Sequence, residues 1–160
     1  MAGRIHHYKI QNTWTGNLGS GTSTYRSYSR NHELTGERKS APIAGSSDPV
    51  FRGESSRYNP EELLLAALSA CHMLALLHLC ADAGITVTEY VDEAAGEMAE
   101  NPDGSGQFTR VVLHPRMVIT DASRIEDAKN LHHRAHELCF IARSVNFPVE
   151  NEPQVTASAK

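Results

Sequence analysis

Aromatic residues are scarce in this chain, at 6%, and no block of like charge stands out. Few aromatics argue against a base-stacking platform. A formal charge of −4 and a pI near 6.1 argue against a nucleic-acid partner. Long unbroken apolar runs are also missing. Ser69, Cys71, His72 and His78 interrupt the most apolar stretch, Leu63 to Ala81, whereas a membrane span needs about 20 mostly apolar residues. The stretch reads as the buried helix of a soluble protein with no membrane partner. Met1 to His7 has no apolar segment behind its positive charge, so no secretory signal is expected and the expected location is cytoplasmic. The three cysteines are odd in number and widely spaced, which speaks against a disulfide framework and for reduced thiols with a chemical task. No internal repeat is visible. The remainder is ordinary globular material, 160 residues with 40% apolar and 21% charged, enough for a single core.

Residues 5–16 mix β-branched and aromatic with polar side chains and predict a first strand. After the turn-rich Gly16 to Gly21, Thr22 to Leu34 predicts a second, carrying Arg26 and Arg30 among Tyr25 and Tyr28. Residues 35–59 are dominated by Gly, Pro, Ser and charge, a long loop of the kind that is often functional. Asn59-Pro60-Glu61-Glu62 is a helix start, with an N-cap, a proline at the first position and two carboxylates at the positive end of the dipole. The helix runs to Ala83 and stops at Gly84. Apolar residues lie nearly all round it, so it is expected to be the buried central helix.

Thr86 to Glu100 and Gln107 to Thr120 predict two strands of a hairpin closed by residues 101–106, with Pro115 marking an edge or a bulge. Asp121 or Ser123 opens a second helix, which Pro148 ends. Val155 to Ala159 predicts a last short strand. The expected organisation is one α+β domain over residues 1–160. It comprises N-terminal strands and loop (1–58), central helix (59–84), β-hairpin (85–120), second helix (121–147) and C-terminal strand (148–160), with antiparallel sheet packed on two long helices.

Cys71 lies mid-helix, and Cys80 nine residues on points about 180° away at 100° per residue, so these two cannot pair. Cys139 falls in the last turns of the second helix, on its apolar face. Composition alone makes all three small buried hydrophobes, and Cys80, among leucines and alanines, is best read so.

The run from Asn59 to Cys71, NPEELLLAALSAC, resembles the signature of the OsmC/Ohr family of thiol-dependent hydroperoxide reductases. That family has Asn-Pro-Glu opening the central helix, a cysteine ten positions beyond the glutamate, and a second cysteine some 65 residues later, where Cys139 stands. The resemblance extends in element order from about Trp14 to the C-terminus. Phe140 occupies a place where the family commonly has proline, and the family's N-terminal arginine has Arg26, Arg30, Arg52 and Arg57 as candidates here.

The resemblance implies an OsmC-like fold and an intertwined homodimer, without a cofactor. It implies that Cys71 attacks an organic hydroperoxide, becomes a sulfenic acid, and is resolved by Cys139 as a disulfide, in oxidative-stress defence. It further implies an external dithiol reductant, in relatives often a lipoylated protein. A free cysteine with pKa about 8.5 is mostly protonated at neutral pH. Cys71 is several turns from the positive helix end, so a cation must supply the shift. Arg30 is the first choice and Arg26 the second. Cys139, near a helix C-terminus, suits a resolving thiol better than a first nucleophile. Glu61 would match the glutamate that orients the arginine. Ten residues of helix span about 15 Å, so either the helix bends or the glutamate comes from a partner chain whose central helix lies antiparallel.

Two other readings stay open. His132 and His136, at i and i+4, with Cys139, His72 and Cys71, could form a tetrahedral metal site. Alternatively the chain is a non-enzymatic dimeric ligand-binding or structural protein on the same fold.

Overall fold

The structure is a computed structural model and describes residues 3–158. The chain divides into two compact units, one ending at Leu63 and one beginning at Leu64.

The first unit contains a three-stranded antiparallel sheet, β1 (Gln11–Trp14), β2 (His32–Thr35) and β3 (Ile43–Gly45), in that order. Its strands are shorter than the sequence predicts. Residues 5–10 are exposed and outside any strand, residues 22–27 turn instead of extending, and residues 28–31 meet residues 15–17 only around an isolated antiparallel bridge, Asn17 to Tyr28. Side-chain bonds to the backbone explain the turns. Asn17 Oδ1 accepts from the N–H groups of Gly19 and Gly21, and Ser27 Oγ accepts from Thr24 N–H while donating to Gly21 O. These local bonds compete with a strand ladder. A Cβ at Gly45 would collide with the His32 ring, so any larger residue there would force that ring to move.

Helix α1 (Pro60–Asp82) starts as the sequence predicts. Asn59 Oδ1 accepts from Glu62 N–H at 2.7 Å, and Glu62 Oε2 accepts from Asn59 N–H at 3.0 Å, a reciprocal capping box. It ends at Gly84 with φ +69°, where Ile85 N–H reaches back to Cys80 O at 2.8 Å. The expected all-round burial is realised along one stripe, Leu68, His72, Leu76 and Cys80. The flanks are half-buried or open, with Leu74 64% exposed. By length and composition α1 could cross a membrane, but its buried stripe packs into the core of the second unit.

The predicted hairpin over 85–120 is four strands in the structure. These are β4 (Val87–Asp92), β5 (Ala95–Glu100), β6 (Gly106–Leu113) and β7 (Pro115–Ile119). β5 pairs with β6 and β4 with β7, all antiparallel. The break comes where Asp92 takes Ser69 Oγ–H at 2.5 Å and His114 N–H at 2.8 Å, and where Pro115 has no N–H to offer a ladder. A 3₁₀ turn at Ala122–Arg124, capped by Asp121, leads into α2 (Ile125–Leu138).

The second helix is thus shorter than 121–147. Its C-cap, Cys139, turns extended at ψ 108°, and a separate 3₁₀ turn follows at Ala142–Ser144. The C-terminal region holds two strands, β8 (Val149–Asn151) parallel to β6 and β9 (Gln154–Ala157) parallel to β7, so both sheets of the second unit are mixed instead of purely antiparallel. Ala159, in the predicted last strand, lies outside the described residues. One apolar cluster joins Leu76, Cys80, Met117, Ile119, Ala135 and Val155, and another joins Leu68, Val111 and Leu113.

Candidate active site

Within the second unit, α1 and the end of α2 bring Cys71 and Cys139 together. Cys71 is half-buried and Cys139 is 1% exposed. Burial is the main cause that pushes the Cys139 thiol up to about 11. Cys71 adds to it, both as hydrogen-bonding partner and as a neighbouring charge. The backbone N–H groups of Ile141 and Ala142 work the other way, Ala142 N–H lying 3.4 Å from Sγ. Because Cys139 ends the helix instead of continuing it, the 3₁₀ turn that follows can aim these donors at sulfur. Cys80 is buried among Leu76, Ile85 and Met117, and burial raises its pKa as well.

Arg30, Arg26 and Glu61 belong to the first unit. The Arg30 guanidinium donates to Tyr28 O at 2.7 Å and to Tyr25 O at 2.8 Å, and it lies 4.2 and 4.3 Å from the centroids of the Tyr28 and Tyr25 rings. Two carbonyls and two aromatic faces therefore hold it in one orientation. Arg26 is exposed. Glu61 is half-buried in the first turn of α1, and its neighbour Glu62 makes the capping bonds. Arg57 lies 3.4 Å from Glu54, and its Nη1 is buried without a partner among the described residues. Sequence reasoning passed over that feature, because burial of one guanidinium nitrogen has no local signature.

His72 and His132, which the sequence grouped in a possible metal site, form a second constellation as a direct imidazole pair. Each is 1% exposed. His72 Nε2 and His132 Nδ1 are 3.1 Å apart, and Asn151 Nδ2 of β8 is 2.9 Å from His72 Nε2. Burial lowers both histidines from 6.5 to about 4. His136 adds to the effect on His72 and His133 to that on His132, while Asp92 opposes it at His72. The signal available in the sequence was their position, His72 directly after one cysteine and His132 seven residues before the other. A cleft of about 460 Å³ borders His132, His136, Glu137, Asn151 and Glu152. Among the described residues no group of three or more His, Cys, Asp or Glu is arranged to hold a metal ion. The tetrahedral reading of His72, His132, His136, Cys71 and Cys139 therefore gives way to an imidazole pair and a thiol pair.

Comparison with known proteins agrees with this architecture. Residues 53–153 match the family described as OsmC-like protein. An OsmC-like protein of unknown function from Vibrio cholerae is 33% identical, with a TM-score of 0.83 over 94% of this chain and 100% of that one. An organic hydroperoxide resistance protein from Elizabethkingia anophelis shares the fold at 22% identity and a TM-score of 0.66, over 97% of this chain and 100% of its own. An uncharacterized protein of Bacillus subtilis strain 168 is 24% identical over 158 residues, 97% of this chain and 95% of that protein. The family includes organic hydroperoxide resistance proteins, and its members are typically dimeric. With a family match over 101 of its residues and an α+β architecture shared over 94% of its length with the Vibrio cholerae protein, the chain belongs to the OsmC-like family.

Proposed function

We propose that this protein is a thiol-dependent peroxidase that reduces organic hydroperoxides to alcohols. The observation that carries the reading is the asymmetry of two neighbouring thiols, Cys71 half-buried and Cys139 sealed in and held near pKa 11. At neutral pH Cys139 keeps its proton, so Cys71 is the sulfur free to act as nucleophile. The Cys71 thiolate attacks the outer oxygen of R–O–OH and breaks the O–O bond. The products are the Cys71 sulfenic acid and an alkoxide, which takes a proton to become the alcohol. Cys139 then attacks the sulfenic sulfur, its S–H proton leaves with the hydroxyl as water, and a Cys71–Cys139 disulfide forms. An external dithiol reduces that disulfide and is itself oxidised to a cyclic disulfide.

Arg30, pre-oriented by Tyr25 and Tyr28, is the proposed permanent cation for this chemistry, with Arg26 second. The exposed apolar flank of α1 supports a homodimer in which Glu61 of one chain serves the other. After one equivalent of an organic hydroperoxide, peptide mapping is expected to show a Cys71–Cys139 bridge with Cys80 free. An oxidised Cys80, or no bridge, overturns the proposal. Arg30→Ala is expected to lower turnover, and a variant as active as the parent shifts the role to Arg26.

A further inference from the structure

We infer that His72 and His132 position Cys71 and Cys139 for disulfide formation, a role that rests on the peroxidase reading above. The two histidines sit on the same two elements as the two thiols. His72 adjoins Cys71 on α1, and His132 precedes Cys139 by seven residues, two helical turns, which returns it to the same face of α2. The thiol contact lies at the very end of α2, on its C-cap residue, whose N–H bonds back to His136 O at 3.2 Å and beyond which no further turn of the helix follows. The imidazole contact at 3.1 Å lies inside the helix and is sealed from water.

The surroundings show what the pair adds. Leu68 and Leu76 occupy the same stripe of α1 one turn to either side of His72, so a leucine at position 72 would serve packing alone. An imidazole there costs desolvation, which is why both rings are held neutral. A buried polar contact gives in return what apolar packing lacks, a fixed register of one helix on the other. Asn151 extends the contact to β8, which runs beside β6. Three elements are thereby pinned at one point, and the swing of Cys139 about that point is short. Disulfide formation needs Cα atoms within about 4.4–6.8 Å and a defined dihedral, so this restraint raises the fraction of time in which Cys139 can attack.

The two histidines use different ring nitrogens, and that supplies the test. His132 engages through Nδ1, whose place an asparagine amide can take. A glutamine amide reaches the place of Nε2, the atom that His72 uses. The full-length protein is mixed with one equivalent of cumene hydroperoxide and quenched in time. Sulfenic acid is trapped with dimedone and the bridge is followed by mass. For His132→Leu the first step is expected to stay within about twofold of the parent, while bridge formation slows by about tenfold or more. Excess peroxide then drives Cys71 to sulfinic acid. His132→Asn is expected to restore bridging and His132→Gln is not, with the order reversed at His72. Bridging at the parent rate in His132→Leu overturns the inference, as does equal bridging in His132→Asn and His132→Gln, a comparison that holds even where the leucine variant folds poorly. Absence of the bridge in the parent sinks the peroxidase reading first, so the two failures are told apart.

Discussion

The two units are built on opposite terms. Among the described residues every buried apolar side chain belongs to the second unit, while the buried polar residues of the first, Ser46 and Asn59, are tied by hydrogen bonds. In the first unit Ser46 Oγ donates to Asn31 Oδ1 and accepts from Glu54 N–H, and Asn31 in turn donates to Glu54. Its strands expose most of their side chains. The second unit has two apolar clusters and hides its two polar exceptions, His72 and His132, among them. Burial holds the half that carries sulfur, and directional bonds hold the half that carries arginine. Cys71 and Cys139 therefore sit on a packed apolar base, and the Arg30 guanidinium sits on a scaffold of turns.

Among single substitutions, removing core volume should give the largest effect. Leu76 is fully buried, and Leu76→Ala is expected to cost about 2–5 kcal/mol, read from urea unfolding followed by far-UV circular dichroism. A loss below about 1 kcal/mol, in the range of ordinary surface changes, would mean that the second unit is not held by its core.

Acid should act next. Both histidines fall from 6.5 to about 4 in the folded protein, so between those pH values the unfolded chain binds more protons. Stability is full above about pH 6.5 and declines toward pH 4, by up to about 1.4 kcal/mol per pH unit for each histidine. Urea midpoints across that window should fall for the parent and fall less for the His72→Gln, His132→Asn double variant. Equal slopes would place the acid sensitivity elsewhere.

The polar half should respond locally. Ser46→Ala leaves Glu54 N–H and the Asn31 amide short of a partner, at a cost of about 1–3 kcal/mol. Amide exchange should accelerate in β2 and β3 and stay unchanged in β6 and β7. Acceleration throughout would contradict the division of labour between the units.

The features legible in the sequence were those written within a few residues. Asn59, Pro60 and Gly84 marked both ends of α1 by their own backbone chemistry, and the run to Cys71 carried the family. The loop at residues 101–106 joined two strands as its turn residues implied. Features that depend on meetings across the chain were not legible. Asp92 breaks the long hairpin by reaching Ser69 and His114, and no period in the sequence marks that. Cys139 was placed inside a helix because the apolar spacing continues past it, yet the structure ends the helix there and turns the chain so that the following amides face sulfur. His72 and His132 were brought together in the sequence as members of a metal site, but their spacing gave no hint that the two rings contact each other directly.

The smallest effect expected is at the start of α1, which Asn59 caps. Its amide satisfies one of the free N–H groups of the first turn, and Glu62 returns a bond to the Asn59 backbone. Asn59→Ala removes the first of these and is expected to cost about 1 kcal/mol. Asn59→Asp keeps an acceptor and adds a charge at the positive end of the helix dipole, so it should match or exceed the parent. Because the cap orders only the first turn, the loss should show in exchange at Glu62 and Leu63 and fade before Cys71. Peroxide turnover should therefore stay at the parent level in both variants. If Asn59→Ala instead slows attack on peroxide, the first turn of α1 takes part in the chemistry, and the separation between a structural start and a reactive middle of this helix has to be abandoned.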